Sequence, residues 1–185
     1  MARIPRLDLP DIPQHIIQRG NNRLPCFLDD EDRLLYLHLL GEALSGFACR
    51  LHAYVLMDNH VHLLATPPVK GAIGVLMQRL GRNYVATFNR RHARTGTLWE
   101  GRYKACLVGG ESYVLRCARY IDLNPVRARM TTDPVAYRWS SCAALCGQRD
   151  DPMVIPHSAQ LALGATADSR ARAYLKFIDE AISSD

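Results

Sequence analysis

Apolar and polar positions change rhythm along the chain, and the changes predict its elements in order. Residues 14–19, QHIIQR, read as a short strand, and GNNR at 20–23 supplies turn chemistry. A helix is expected from Asp29, because the acidic cluster DDED suits a helix N-terminus. Leu34, Leu37, Leu40, Leu44 and Phe47 follow at helical spacing and predict its buried stripe. CRLHAYVLM at 49–57 and HVHLLAT at 60–66 read as two strands joined by a tight turn at Asp58-Asn59. A long helix is expected over about 71–92, with Ile73, Leu76, Leu80, Tyr84 and Phe88 as its apolar stripe. Residues 98–108 read as a further strand, broken by Gly109-Gly110, and Ser112 is placed to cap a helix over about 112–124 that Pro125 ends or kinks. The order β-α-β-β-α-β, then α, is the split βαβ pattern of an α+β, ferredoxin-like fold with an antiparallel sheet.

The two ends differ from this body. The first 13 residues hold three prolines and read as an irregular leader. From about residue 131 the pattern loosens until a last helix near 168–182, which places Tyr174, Phe177, Ile178 and Ala181 on one face. The expected organisation is a domain over 1–130 and a mostly helical C-terminal extension over 131–185.

Composition narrows the classes. With 48% hydrophobic and 22% charged residues, the 185-residue chain can bury a core. The net charge is +5, and 20 of the 23 cationic residues are arginine, the better bidentate partner for phosphate. No apolar run approaches the roughly 20 residues of a membrane span. The polar, proline-broken N-terminus does not suit a signal peptide, so a cytosolic location is expected. Six cysteines are scattered without a Cys-x-x-Cys pair, which predicts free thiols over a zinc ribbon.

Three sets of residues carry candidate chemistry. His60 and His62 are two apart on a strand, so both imidazoles point to one face and can share a metal ion. Tyr120 and Asn124 are four apart on a helix and share a face, with Tyr113 near it. Either tyrosine also suits a buried stripe, and Asn124-Pro125 also suits a helix end. Arginines border both segments, among them Arg19, Arg23, Arg79, Arg82, Arg102, Arg119 and Arg127. They suit a phosphate track or a plain solvated surface. Two histidines and an amide oxygen form a mixed site suited to Mg²⁺ or Mn²⁺, and a tyrosine hydroxyl beside them can attack a phosphodiester. An RNA-binding domain of the same fold class would need aromatic strand motifs, and none is present.

Four segments make the chain resemble a known family: IIQRGNNR (16–23), VLMDNHVHLLATP (55–67), GTLWEGRYKACLV (96–108) and RYIDLNPVRARM (119–130). They resemble the REP-associated tyrosine transposases, a branch of the single-tyrosine HUH, or IS200-like, transposases. The resemblance implies His60 and His62 as metal ligands, Asn124 as the third, and Tyr120, not Tyr113, as the catalytic tyrosine. It implies an endonuclease and strand transferase acting on single-stranded DNA at REP or BIME hairpins through a 5′-phosphotyrosine. Arg19, Asn22, Arg23, Arg79, Arg82, Arg102, Arg119 and Arg127 are the expected DNA contacts, and a monomer is the expected state, with a dimer as the alternative. The alternative is a domesticated hairpin-binding protein that no longer cleaves efficiently. The chain departs from the family pattern at Asp58, where proline is common; its expected role is in the hairpin turn.

Overall fold

The computed structural model describes residues 8–182. Part of the expected leader, and the last residues of the extension, lie outside them. Four strands, β1 (Gln14–Arg19), β2 (Arg50–Met57), β3 (His60–Thr66) and β4 (Lys104–Leu107), form one antiparallel sheet in the order β2-β3-β1-β4. The long helices α1 (Asp30–Gly46) and α2 (Ala72–Arg91) follow β1 and β3, which is the ferredoxin-like arrangement. The helix α3 (Glu111–Asp122) and a short α4 (Asn124–Arg127) come next. Beyond them α5 (Cys142–Leu145), α6 (Ser158–Leu161) and α7 (Ala167–Ile182) are joined by irregular chain.

Strand alternation sorts the side chains into two cores. Ile16, Tyr54, Leu56, Val61, Leu63 and Ala65 pack under α1 and α2, against Tyr36, Leu40, Leu80, Tyr84 and Phe88. The opposite face presents Ala53, Val55, Met57 and Leu64 to α3, whose Val114, Cys117, Ala118 and Ile121 supply the matching stripe. Because both faces are covered, β3 is buried from Val61 to Thr66. The C-terminal stretch also covers the outer edge of β2: the amides of Leu56 and Ser141 donate to the carbonyls of Trp139 and Tyr54 at 2.9 Å, and that of Ile155 to Leu51 at 2.7 Å. Pairing of this kind removes an exposed sheet edge.

Three local expectations are corrected. In α1 the leucines run round the whole helix, so their spacing did not define its inner face. Leu34 is half exposed and the buried stripe is Tyr36, Leu40, Ala43 and Leu44. The strand expected at 98–108 pairs regularly only over Lys104–Leu107, because Gly101 takes φ 153 and turns the chain before it. Gly110, not Ser112, precedes the first turn of α3; with φ 83 it adopts a conformation that suits glycine. The end or kink expected at Pro125 is present: α3 closes at Asp122, and Pro125 lies in the first turn of α4. All six cysteines are free thiols.

Candidate active site

His60 and His62 lie on the face of β3 away from α1 and α2, beside each other, with ring centroids 4.9 Å apart. Arg19 stands opposite His60 across the β1–β3 ladder. A third imidazole joins them: His15 on β1 lies diagonally across the ladder, its Nε2 2.8 Å from His62 Nδ1. The sequence reading did not select His15. Its signal was parity, since Ile16 faces the helices and its neighbours on β1 must then share the face of His60 and His62.

Helix α3 lays Tyr120 over this row. The Tyr120 ring meets His15 edge-on at 5.8 Å and His62 at 5.7 Å, and the residue remains 43% exposed. Tyr113, 49% exposed, has the Arg116 guanidinium over its ring and no ring contact with a histidine. Four residues after Tyr120, Asn124 donates its Nδ2 to the Tyr120 carbonyl at 2.8 Å, which leaves Oδ1 as the atom it can offer. The Arg127 guanidinium lies 5.3 Å from the centre of the Tyr120 ring.

The histidines are held neutral. Burial lowers His15 and His60 to about 4 and His62 to about 3; nearby Arg19 also disfavours a second cation on His60 and His62. The hydrogen of His60 is also placed. Asn59 donates Nδ2 to the Arg23 carbonyl at 3.0 Å, so its Oδ1, 2.7 Å from His60 Nδ1, must accept. The Nε2 lone pair of His60 is therefore the free one. The left-handed Asn22 and Arg23, at φ 53 and 58, give the turn the shape that reaches Asn59. Asp58 points elsewhere, pairing with Arg33 at 2.5 Å, while its carbonyl accepts from the amide of Cys26 at 2.8 Å.

The family profile described as "Transposase IS200 like" matches residues 9–124, a span that ends on Asn124. The chain belongs to the IS200-like transposase family. The fold agrees with that of a REP-associated tyrosine transposase bound to a REP hairpin, at TM-score 0.67 and 13% identity, covering 85% of this chain and 99% of the other. A crystal structure of a protein from Deinococcus radiodurans, assigned to the transposases, matches at TM-score 0.43 and 20% identity over 70% of this chain and 91% of that one. No curated protein sequence matches. Among the described residues no helix is long and apolar enough to cross a membrane.

The arginines of this IS200-like transposase divide by location. Arg19, Arg23 and Arg127 stand around the histidine–tyrosine row, with Asn22 exposed in the turn beside Arg23. Arg102 is exposed in the loop before β4. Arg79 and Arg82 are exposed on α2, the layer behind the sheet, and Arg79 lies over Phe47. Arg119 serves the extension: its guanidinium sits 3.8 Å from the centre of the Phe177 ring and donates to the Phe177 carbonyl at 3.0 Å.

Among the described residues, Asp29, Asp32 and His92 bring three metal-ligand atoms within 4.8 Å of one another. Their electron pairs are already used. Asp29 accepts the Asp32 amide as the cap of α1, Asp32 accepts the Leu28 amide at 2.9 Å, and Arg91 bonds Asp29, Glu31 and Asp32. The cluster ties the start of α1 to the end of α2.

Proposed function

We propose that this transposase is a metal-dependent single-strand DNA endonuclease and strand transferase that works at REP-like hairpins, with Tyr120 as nucleophile. The observation that carries this reading is the packing of a half-exposed Tyr120 against His15 and His62, beside His60, within one chain. The Tyr120 oxygen attacks the phosphorus, the bond from phosphorus to the 3′ oxygen breaks, and that oxygen leaves as a 3′-hydroxyl once protonated. The phenolic proton passes to solvent, and the phosphotyrosine keeps the 5′ end for attack by a later 3′-hydroxyl.

The side chains present fit a divalent ion. His60 offers Nε2 on a neutral ring, His62 offers a second imidazole, and Asn124 offers Oδ1 because its Nδ2 is occupied. Two imidazole nitrogens and an amide oxygen leave coordination positions open, as a Mg²⁺ or Mn²⁺ site does and a closed thiolate zinc site does not. When bound, the ion polarises the scissile phosphate. Arg127 over the Tyr120 ring and Arg19 beside the histidines supply positive charge where phosphate must approach. The exposed Asn22, Arg23 and Arg102 extend that charge toward the hairpin. Arg79 and Arg82 sit behind the sheet, and Arg119 is held by Phe177, so these three contribute least to DNA contact.

The REP hairpin bound to the structural neighbour supports a hairpin of that kind as the substrate class, and the basic turn beside the histidines suits it. The packing of Tyr120 against histidines of its own chain favours a monomer, with residues 1–130 as the catalytic unit and 131–185 as the extension. A location in the bacterial cytosol or nucleoid goes with that substrate. The test is a gel of labelled hairpin oligonucleotides with Mg²⁺, Mn²⁺ or chelator. Cleavage that needs metal supports the proposal; cleavage that persists in chelator refutes the ligand roles of His60, His62 and Asn124. Tight binding without cleavage under any metal supports the domesticated binding protein instead.

A further inference from the structure

We propose that His15 is a positioning residue: its Nε2 accepts the Nδ1 hydrogen of His62 and so keeps the His62 Nε2 lone pair directed at the metal. The inference rests on the reading of His60, His62 and Asn124 as ligands. It starts from the distance of 2.8 Å between His15 Nε2 and His62 Nδ1, which requires one hydrogen between two nitrogens. If His15 donated, His62 would present its lone pair to β1 and a hydrogen to the site. If His62 donates, both histidines of β3 present the same atom, because Asn59 has already fixed His60 with its hydrogen on Nδ1. Ligand histidines generally hold their second nitrogen in such a bond, and breaking it weakens metal affinity by about 10–100-fold.

Packing supports this assignment over a third-ligand role. The His15 and His62 rings lie nearly parallel, 19° apart, with centroids at 5.1 Å, and the edge of Tyr120 meets both. His15 thus touches ligand and nucleophile together. Among the described residues, only Asp29, Asp32 and His92 bring three ligand atoms from histidine, cysteine or carboxylate side chains within 4.8 Å, so the three imidazoles do not converge on one point. His15 comes from a different strand, and β1 fixes it through ladders to both β3 and β4.

The test compares the full-length wild type with His15→Phe and His15→Gln. Phenylalanine keeps a ring against Tyr120 but cannot accept a hydrogen; glutamine restores an acceptor near the position of Nε2. Two readouts apply: ¹⁵N correlation spectra of the imidazole rings without metal, and Mn²⁺ affinity from the free-ion electron paramagnetic resonance signal. In the wild type and in His15→Gln, His62 is expected to carry its hydrogen on Nδ1. In His15→Phe it is expected to become a mixture, with Mn²⁺ affinity falling about 10–100-fold and recovering most of that loss in His15→Gln. A His62 protonated on Nε2 in the wild type overturns the proposal. So does an unchanged affinity in His15→Phe, or an equal loss in both variants, which would make His15 a ligand. A wild type that holds the hydrogen on Nδ1 but binds no Mn²⁺ supports the hydrogen-bond direction and refutes the reading of the metal site, so the two failures are distinct.

Discussion

Replacing Tyr174 with phenylalanine should loosen the helix that carries Tyr120. Asp122, the last residue of α3 and fully buried, lies two positions after that tyrosine. One carboxylate oxygen accepts from Ser141 Oγ at 3.0 Å and the other from the Tyr174 hydroxyl at 2.8 Å. The hydroxyl comes from α7 and the serine from the chain along β2, so the extension grips the end of α3 from two directions. Tyr174→Phe preserves the buried ring and removes only the donor, leaving a buried carboxylate oxygen without its partner. A hydrogen bond to a group of this kind is worth about 1.5–3 kcal/mol. For a chain of this size, 1 kcal/mol moves the melting temperature by about 2–4 °C, so a fall of about 4–8 °C is expected for ~2 kcal/mol. Thermal unfolding at pH 8, above the value near 7 at which buried Asp122 loses its proton, followed by circular dichroism, measures it. In an Asp122→Asn background the same substitution should cost much less, because the pair is coupled. A melting temperature unchanged within about 1 °C of wild type would refute the idea that the extension holds α3 through this contact.

Burial raises Asp122 to about 7 from an unfolded value of 3.8. The native state then keeps a proton that the unfolded chain releases, so this group's contribution is full below about pH 4 and is lost as pH rises through about 7. Denaturant melts from pH 4 to 8 of wild type and Asp122→Asn isolate this group: the buried neutral histidines push stability up with pH in both proteins, so the stability of wild type relative to Asp122→Asn should fall across that window, and a constant difference would refute the assignment. A Cβ at Gly20 would fall 2.2 Å from the Leu24 carbonyl oxygen and 3.4 Å from that of Asn59. Gly20→Ala should therefore displace the turn that positions Asn59, costing roughly 1–3 kcal/mol as overpacking does elsewhere. The same displacement should weaken Mn²⁺ binding; titration calorimetry with unchanged affinity would detach the turn from the site. Arg127→Ala should weaken hairpin binding more than Arg79→Ala, since only Arg127 lies by Tyr120. Equal losses by fluorescence anisotropy would disperse the phosphate path over the whole surface.

The legible parts of the fold were those where one pattern had one cause. HVHLLAT became β3 with the predicted bounds, and the α2 stripe from Ile73 to Phe88 is buried as its spacing required. In α1, by contrast, leucines on every side left the inward face to be chosen by what the sheet presented. The strand at 98–108 read as continuous because its apolar composition concealed the turn at Gly101. The site divides the same way. His60 and His62 are neighbours in sequence and stood out. His15 is 47 residues from His62, and only strand register joins them. Arg119 looked like any other exposed cation until α7 placed Phe177 against it. Tertiary pairing of this sort leaves no local trace, and for that reason the residues that support the site were harder to see than the residues that form it.

Mass spectrometry of the covalent product decides whether Tyr120 carries the DNA. The wild-type chain would be incubated with a REP-like hairpin oligonucleotide and Mn²⁺, digested with protease and nuclease, and searched for tyrosine bearing a 5′-linked nucleotide. The adduct is expected on Tyr120, with its loss in Tyr120→Phe and its retention in Tyr113→Phe. An adduct on Tyr113, or cleavage that leaves no tyrosine-linked DNA, would contradict that role of Tyr120.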